Sequence, residues 1–407
     1  MIKKIAALLL LLALSACASL NPPASRPVQP LVLISIDGFR ADYIKRGVTP
    51  NLQALADGGS TAPDGMRPSF PSLTFPNHYT LVTGKYPDHT GIVANTMLDP
   101  AKPGTTFMMS NSDAVTDGFW WSAALPVWDS VVKAGGRSAV EFWPGSEAPV
   151  DGLRPTYYSH FDYHVTNEQR VDQVLSWMDL PADQRPSLYL LYFDIVDHQG
   201  HDFGPDSQQV TDAAAAVDSA IGRLRDGLKA RRLTPNIIIV ADHGMSAISP
   251  DRAYFLEDYI PADSYQAVVT GPEAEINPKP GREAEVEKLT HMHFDHMQCW
   301  NKADIPARLH YGRNPRVPAI VCLGDPGWLV DDTHAKGIGY KGGAHGYDPT
   351  SPDMAALFIA NGLDIRPGVK LPPFDNVDVY SLEMRLLRLK PEPGDGTLAP
   401  LKPALAD

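Results

Sequence analysis

Residues 31–37 read LVLISID. The run is almost continuously apolar and rich in β-branched residues, the pattern of a strand buried on both faces. It stops at Asp37, and helical signals follow at Thr49-Pro50-Asn51, a threonine cap with a proline in the first turn. Similar runs recur as RSAVEFW, SLYLLYF, NIIIVAD, PAIVCLG and MAALFIA, spaced by segments such as NEQRVDQVLSWM and SQQVTDAAAAVDSAIGRLRDGLKARR. Apolar strands alternating with amphipathic helices predict an α/β fold: a mostly parallel central sheet with helices on both faces.

The chain has 407 residues, 43% hydrophobic and 20% charged, enough for a large core. One catalytic domain is expected over 31–385, with a less regular insertion over about 245–340 at one edge of the site. A Pro-rich segment, 386–407, is expected to be a loose tail.

Residues 1–16 are laid out as a secretory signal: Lys3 and Lys4, an apolar run too short to span a bilayer, then small residues. Leu14-Ser15-Ala16-Cys17 resembles the lipobox of bacterial lipoproteins, which implies a lipid on Cys17 and a tether over 17–30; ordinary cleavage near Ala16 or Ala18 is the alternative. Both place the protein outside the cytoplasm, in a bacterial periplasm or anchored to a membrane. There Cys299 and Cys322 are expected to form a disulfide, with two buried free thiols as the alternative. Loss of residues 1–16 takes the formal charge from −13 to −15, which disfavours a nucleic-acid polymer as partner and leaves a small molecule.

In sheets of this kind ligands bind beyond the C-terminal strand ends. Asp37 ends LVLISID, and Asp242-His243 end NIIIVADH. Asp197 and His201 follow SLYLLYF, and His345 sits in KGGAHGYD. One such acid or imidazole is ordinarily a cap or turn residue, but the recurrence at successive strand ends beside glycines points to metal ligation. Mixed oxygen and nitrogen donors suit zinc, with manganese or iron as alternatives. Six protein ligands serve two ions, and such a pair acts on both sides of an in-line displacement at phosphorus.

Thr74, in PSLTFPNHYTLVTGKYPDHTG (71–91), is either a helix N-cap or a nucleophile. No Ser-His-Asp layout or G-x-S-x-G elbow offers an alternative, and a metal would activate its hydroxyl. A threonine at a helix N-terminus also aims that helix's positive end at a phosphate.

Thr74-Phe75-Pro76-Asn77-His78, GKYPDHTGIVAN, DHQGHDFGP, ADHGM and GAHGYD follow one another in order. With these the chain resembles the nucleotide pyrophosphatase/phosphodiesterase family of the alkaline phosphatase superfamily, over about residues 30–385 including WPGSE (143–147) and PARLHYG (306–312). The resemblance implies a covalent phospho-enzyme on Thr74 and two zinc ions. One takes Asp197, His201 and His345; the other takes Asp37, Asp242, His243 and the Thr74 oxygen. It implies that Asn95, with the backbone N–H after Thr74, donates to a phosphate oxygen, and that Phe75 and Tyr192 sandwich a nucleotide base, with Tyr158 as a further candidate. The family's proline before the first metal aspartate is Val196 here, which leaves the ligands intact.

The implied reaction splits nucleotides and related phosphodiesters into a nucleoside 5'-monophosphate plus alcohol or pyrophosphate. A choline-phosphodiester or lysophospholipid hydrolase shares the same catalytic set, and a non-catalytic envelope lipoprotein is a third reading. A sulfatase needs a cysteine or serine followed by proline and arginine, which T-F-P-N-H lacks. His291-Met292-His293-Phe294-Asp295-His296 spells the H-x-H-x-D-H zinc motif, but it continues the helix-favouring EAEVEKLT, and a helix spreads the three imidazoles over about 200°.

Overall fold

The computed structural model describes residues 28–336 and 341–406. The leader, Cys17 and most of the tether lie outside these residues. The central sheet has eight strands: β1 (Leu31–Ile36), β2 (Ser60–Thr61), β3 (Ser138–Glu141), β4 (Tyr157–Ser159), β5 (Leu188–Phe193), β6 (Asn236–Val240), β11 (Phe358–Asn361) and β12 (Val369–Lys370). A second, antiparallel sheet is formed by β7 (Tyr265–Val269), β8 (Glu273–Pro278), β9 (Met297–Asn301) and β10 (Ile320–Gly324). The first runs in the order β12-β2-β11-β6-β1-β5-β3-β4, and all its pairings are parallel except those of β11.

LVLISI forms the middle strand because every one of its residues is buried, as an apolar run without alternation requires. Its register decides where the polar residues emerge. Ile36 lies opposite Phe193 and Ser35 opposite Val240, so Asp37, the segment after β5 and Asp242-His243 leave the sheet side by side.

The main helices are α1 (Pro50–Asp57), α2 (Thr74–Thr83), α3 (Asn167–Met178), α4 (Ile195–Phe203), α5 (Gln208–Ala230) and α6 (Val379–Leu386). They form two packed groups, α1, α3 and α4 around α5, and α2 against α6, in keeping with a sheet covered on both faces. Thr166 caps α3 through a reciprocal side-chain box with Gln169, and Ser207 caps α5.

Several expectations are corrected. The stretch around 245–340, read as irregular, holds the four-stranded antiparallel sheet with its own apolar core of Ile276, Leu289, Ile320 and Val330 among others. PAIVCLG becomes β10 of that sheet and not a member of the parallel one, because an apolar run does not specify its partners. Cys299 and Cys322 lie directly opposite in β9 and β10 and form the disulfide.

The helix expected through 291–296 ends early. A short turn of helix, Glu283–Val286, passes into a 3₁₀ turn ending at His291, and Met292 is extended because the chain must enter β9. His293 points into solvent and His296 stacks on Trp328.

The Pro-rich tail is packed. Leu401 and Ala404 are buried, and the backbone N–H groups of Asp395 and Gly396 both donate to the carbonyl of Gly84 at the end of α2. Composition suggested disorder, but two apolar anchors and a helix end in need of donors decide otherwise.

Candidate active site

The rim above β1, β5 and β6 gathers all the residues expected to bind metal. Gly38, at φ 64, is the close-approach point: its N–H donates to Asp242 Oδ1 at 3.1 Å, and a Cβ there would meet Asp197 at 2.9 Å. Asp197 and His201 are one turn apart on α4. His345 arrives from the loop after Gly343–Ala344, which pairs with Ser246–Ala247 just past β6.

Two groups of donors result. His243 Nε2 lies 2.9 Å from Asp242 Oδ2, 3.5 Å from Asp37 Oδ1 and 3.3 Å from Thr74 Oγ1. In the other group His345 Nε2 is 3.1 Å from His201 Nε2 and 3.6 Å from Asp197 Oδ1, and His201 Nε2 is 3.4 Å from Asp197 Oδ2. The rings of His243 and His345 stack at 3.5 Å and join the two groups.

The tautomers test whether these residues fit metal ions. His201 Nδ1 faces the Gly343 carbonyl at 3.0 Å, His243 Nδ1 that of Gly244 at 2.9 Å, and His345 Nδ1 that of Ser72 at 2.8 Å. A carbonyl only accepts, so all three Nδ1 atoms carry the hydrogen and all three Nε2 lone pairs face inward. The Nε2 atoms of His201 and His345 thus present lone pairs to each other, an arrangement that calls for a cation between them. Asp37 Oδ1, Asp197 Oδ1 and Asp242 Oδ2 are buried and accept no hydrogen bond. The donor set fits two ions.

Electrostatics agree. Burial, then the charges of Asp242 and Asp197, hold the Asp37 carboxyl well above its ordinary range. Burial also opposes ionisation of Asp242, but a proton shared with His243, whose affinity for it Asp242 raises against burial, outweighs this and keeps that carboxyl low; an ion on the pair would take the proton's place. Burial, with His243 and His201 alongside, lowers His345 and so keeps it neutral. A positive centre would relieve the repulsion among the three carboxylates.

Asp37, His78 and Asp242 also lie within ligating reach of one another. His78 is nevertheless no ligand, because both ring nitrogens are used: Nδ1 donates to the Thr74 carbonyl at 2.9 Å, and Nε2 accepts from Ser35 Oγ at 2.8 Å. It locks the first turn of α2 to β1, with Nδ1 also 3.3 Å from Asp242 Oδ2. The sequence reading quoted His78 without a role; its place one turn after Thr74 was the available signal.

Thr74 is the first residue of α2, and the N-cap is Leu73, with no side-chain cap bond. The cap reading is therefore excluded, and the hydroxyl faces the first donor group. The PSL turn is held by Asn77, whose amide nitrogen donates to the carbonyls of Pro71 and Leu73.

Asn95 lies beside Thr74 as expected, with one correction. The Phe75 N–H donates to Asn95 Oδ1 at 2.9 Å, so this backbone donor orients the amide and leaves the Asn95 NH2 as the group to present.

The aromatic pair is corrected more strongly. Tyr192 is buried, its hydroxyl donates to Asp37 Oδ2 at 2.5 Å and its ring meets His78 edge-on, so it offers no face to a base. It supports a donor instead. Phe75 is 9% exposed and packs edge-on to Phe107 and Trp121. Tyr158, on edge strand β4, accepts a hydrogen bond from Arg154. Phe161, which the sequence reading missed, is 48% exposed beside Tyr192 and Phe142. Among the described residues no helix is long and apolar enough to cross a membrane.

A family model described as type I phosphodiesterase / nucleotide pyrophosphatase matches residues 31–348. The chain is 39% identical, over 90% of its length and 78% of the relative's, to an uncharacterized pyrophosphatase/phosphodiesterase of Schizosaccharomyces pombe. It is 37% identical, over 94% of its length, to ectonucleotide pyrophosphatase/phosphodiesterase family member 3 of Mus musculus and to a venom phosphodiesterase of Naja atra, and spans less than half the length of either. Among solved structures, murine ectonucleotide pyrophosphatase/phosphodiesterase 5, in an inactive variant with AMP, superposes with a TM-score of 0.88 at 32% identity, covering 93% of this chain and 100% of that one. With this fold and a two-group donor set at the strand ends, the chain belongs to the type I phosphodiesterase / nucleotide pyrophosphatase family of enzymes.

Proposed function

We propose that the protein hydrolyses nucleotides and related phosphodiesters to a nucleoside 5'-monophosphate plus an alcohol or pyrophosphate, with Thr74 as nucleophile. The observation that carries this reading is the Thr74 hydroxyl, at the first helical position of α2 after the N-cap Leu73, 3.3 Å from His243 Nε2. Asp37, Asp242, His243 and Thr74 would hold one ion, and Asp197, His201 and His345 the other; we assign both as zinc, which lowers the pKa of a bound hydroxyl and offsets phosphate charge.

The remaining work falls to the chain. Thr74 Oγ1 gives up its proton to solvent and attacks phosphorus in line, the ester or anhydride oxygen leaves opposite and takes up a proton, and a phospho-threonine forms that still carries the nucleoside on its remaining ester oxygen. Water then attacks the phospho-threonine, so two inversions give net retention. The Asn95 NH2, oriented by the Phe75 N–H, donates to a non-bridging oxygen as its charge grows. The positive end of α2 acts on the same oxygens.

A base would find aromatic surface at the exposed ring of Phe161, with Tyr158 further along the edge, while Phe75, 9% exposed, would offer no more than a margin of its ring. The nucleotide preference is supported by the AMP bound in the murine neighbour. The leader-like residues 1–16 and the Cys299–Cys322 disulfide support an exported protein, with Cys17 as its lipid anchor.

The test compares steady-state rates on a nucleoside 5'-diester, a choline phosphodiester and a phosphate monoester, for wild type and Thr74→Ala. The nucleoside diester is expected to be fastest, and Thr74→Ala to lose turnover on it. A faster choline ester would assign the site to the phospholipid-type branch, and an unaffected Thr74→Ala enzyme would remove the nucleophile.

A further inference from the structure

Asn95 belongs to the loop that follows Thr90, and this loop is held from the antiparallel sheet. Tyr311 OH lies 3.1 Å from the Val93 carbonyl, two residues before Asn95, and 2.7 Å from Glu275 Oε1 on β8. Arg316 Nη1 donates to the Gly91 carbonyl at 2.7 Å and its Nε to Asp99, so the loop is gripped at both ends. Asp88, just before the loop, accepts the backbone N–H groups of Gly312, Arg313 and Asn314.

Tyr311 and Glu275 are 6% and 1% exposed, and the ring of Tyr311 is fixed edge-on against Phe70. Glu273, two residues along the same face of β8, is also 1% exposed, and among the described residues neither of its oxygens finds a hydrogen-bond donor; nor does Glu275 Oε2. Two adjacent buried carboxyls are a poor way to build a sheet, because burial disfavours charge and the two repel. A glutamine or leucine would serve packing better. Their presence at the point where the second sheet meets the Asn95 loop is the mark of a site that gives up stability for geometry.

We infer that Tyr311, held by Glu275, is a positioning residue for the reaction: it fixes the loop through the Val93 carbonyl and thereby sets where the Asn95 amide meets the phosphate. This rests on the reading of Asn95 as the transition-state donor. A hydroxyl has one hydrogen, so Tyr311 serves the Val93 carbonyl fully only while Glu275 supplies a compensating bond to the tyrosine oxygen or shares its hydrogen. Asn95 in turn has one partner on the nucleophile side, the Phe75 N–H, so a small shift of the loop would tilt the amide away from the developing charge.

The experiment is a double-mutant cycle in the metal-loaded enzyme, with kcat and KM measured on a nucleoside 5'-diester for wild type, Tyr311→Phe, Asn95→Ala and the pair. Asn95→Ala is expected to lower kcat about 100-fold. Tyr311→Phe is expected to lower kcat about tenfold with KM within twofold, and to have no further effect in the Asn95→Ala background.

Glu275→Leu, which can neither donate to nor accept from the Tyr311 hydroxyl, is the companion variant should Tyr311→Phe fold poorly. It is expected to melt no lower than wild type and still to lose kcat about threefold, again only when Asn95 is present. Equal losses with and without Asn95 would make Tyr311 and Glu275 merely structural and overturn the inference while leaving Asn95 in place. Wild-type kcat for both variants would overturn it as well. An unaffected Asn95→Ala enzyme would instead remove the donor reading, and the inference with it.

Discussion

The two donor groups share a chemistry and differ in how they are built. Asp37, Asp242 and His243 directly continue β1 and β6, and their side chains are 0–2% exposed. Asp197 and His201 ride on a helix and His345 on a loop, and the His201 side chain is 42% exposed. The buried group also faces the nucleophile. Strand ends locked in the middle of a sheet give Thr74 a fixed partner, while the open group faces solvent and provides a way in. The buried group should therefore govern chemistry and the open group should govern ion exchange.

The largest effect expected is that of Thr74→Ala, which should lower diester turnover on the order of 10³-fold or more with both ions retained, as read by kcat and metal analysis. Retention of more than a tenth of the rate would break the link between the buried group and the nucleophile. Next, Asp37→Asn should lower affinity for one ion on the order of 100-fold or more, yet leave the metal-free protein melting as high as wild type, because it removes a carboxyl that burial and the charges of Asp242 and Asp197 hold above its ordinary range. His201→Ala should lower affinity about 10–100-fold and recover activity in excess metal. If the two variants responded alike to added metal, the difference between the groups would have no functional content.

Chelator titration offers a gentler test. The ions should leave in two steps, with that of the Asp197 group first, and the His201→Ala enzyme should lose the first step. A single cooperative step would sink the distinction. The smallest effect is that of Tyr192→Phe, which removes the donor to Asp37 and should weaken the buried ion about tenfold while leaving nucleotide KM within twofold. A rise in KM with metal binding intact would return Tyr192 to the base.

The strands and donors were legible for one physical reason. Parallel strands buried on both faces read as apolar runs, and in such sheets the groups that follow them converge. LVLISID and NIIIVADH therefore delivered Asp37, Asp242 and His243 without any knowledge of register. What escaped depended on which way a side chain turns or which partner a strand finds. Tyr192 ends an apolar strand like any core aromatic, and only the pairing of Ser35 with Tyr192 shows that its hydroxyl reaches Asp37. His78 was hidden because its bond to Ser35, which uses the second ring nitrogen, is set by the packing of α2 on β1. PAIVCLG has the composition of a parallel strand and the pairing of an antiparallel one. The tail was misread because composition measures average burial, while Leu401 and Ala404 need only two sockets.

The place of β11 bears on how this protein should be cut. The match to the family model ends at residue 348, and by then every proposed ligand has been passed. The strand that covers the outer side of β6 comes later, at Phe358–Asn361, and it lies between β6 and β2. A fragment ending at 348 would carry the whole set of donors and yet leave β6, the strand that ends in Asp242 and His243, with bare backbone along one side. Such an edge invites pairing with another chain, so the fragment should precipitate or dimerise through it. The segment that the family model matches is thus smaller than the segment that folds.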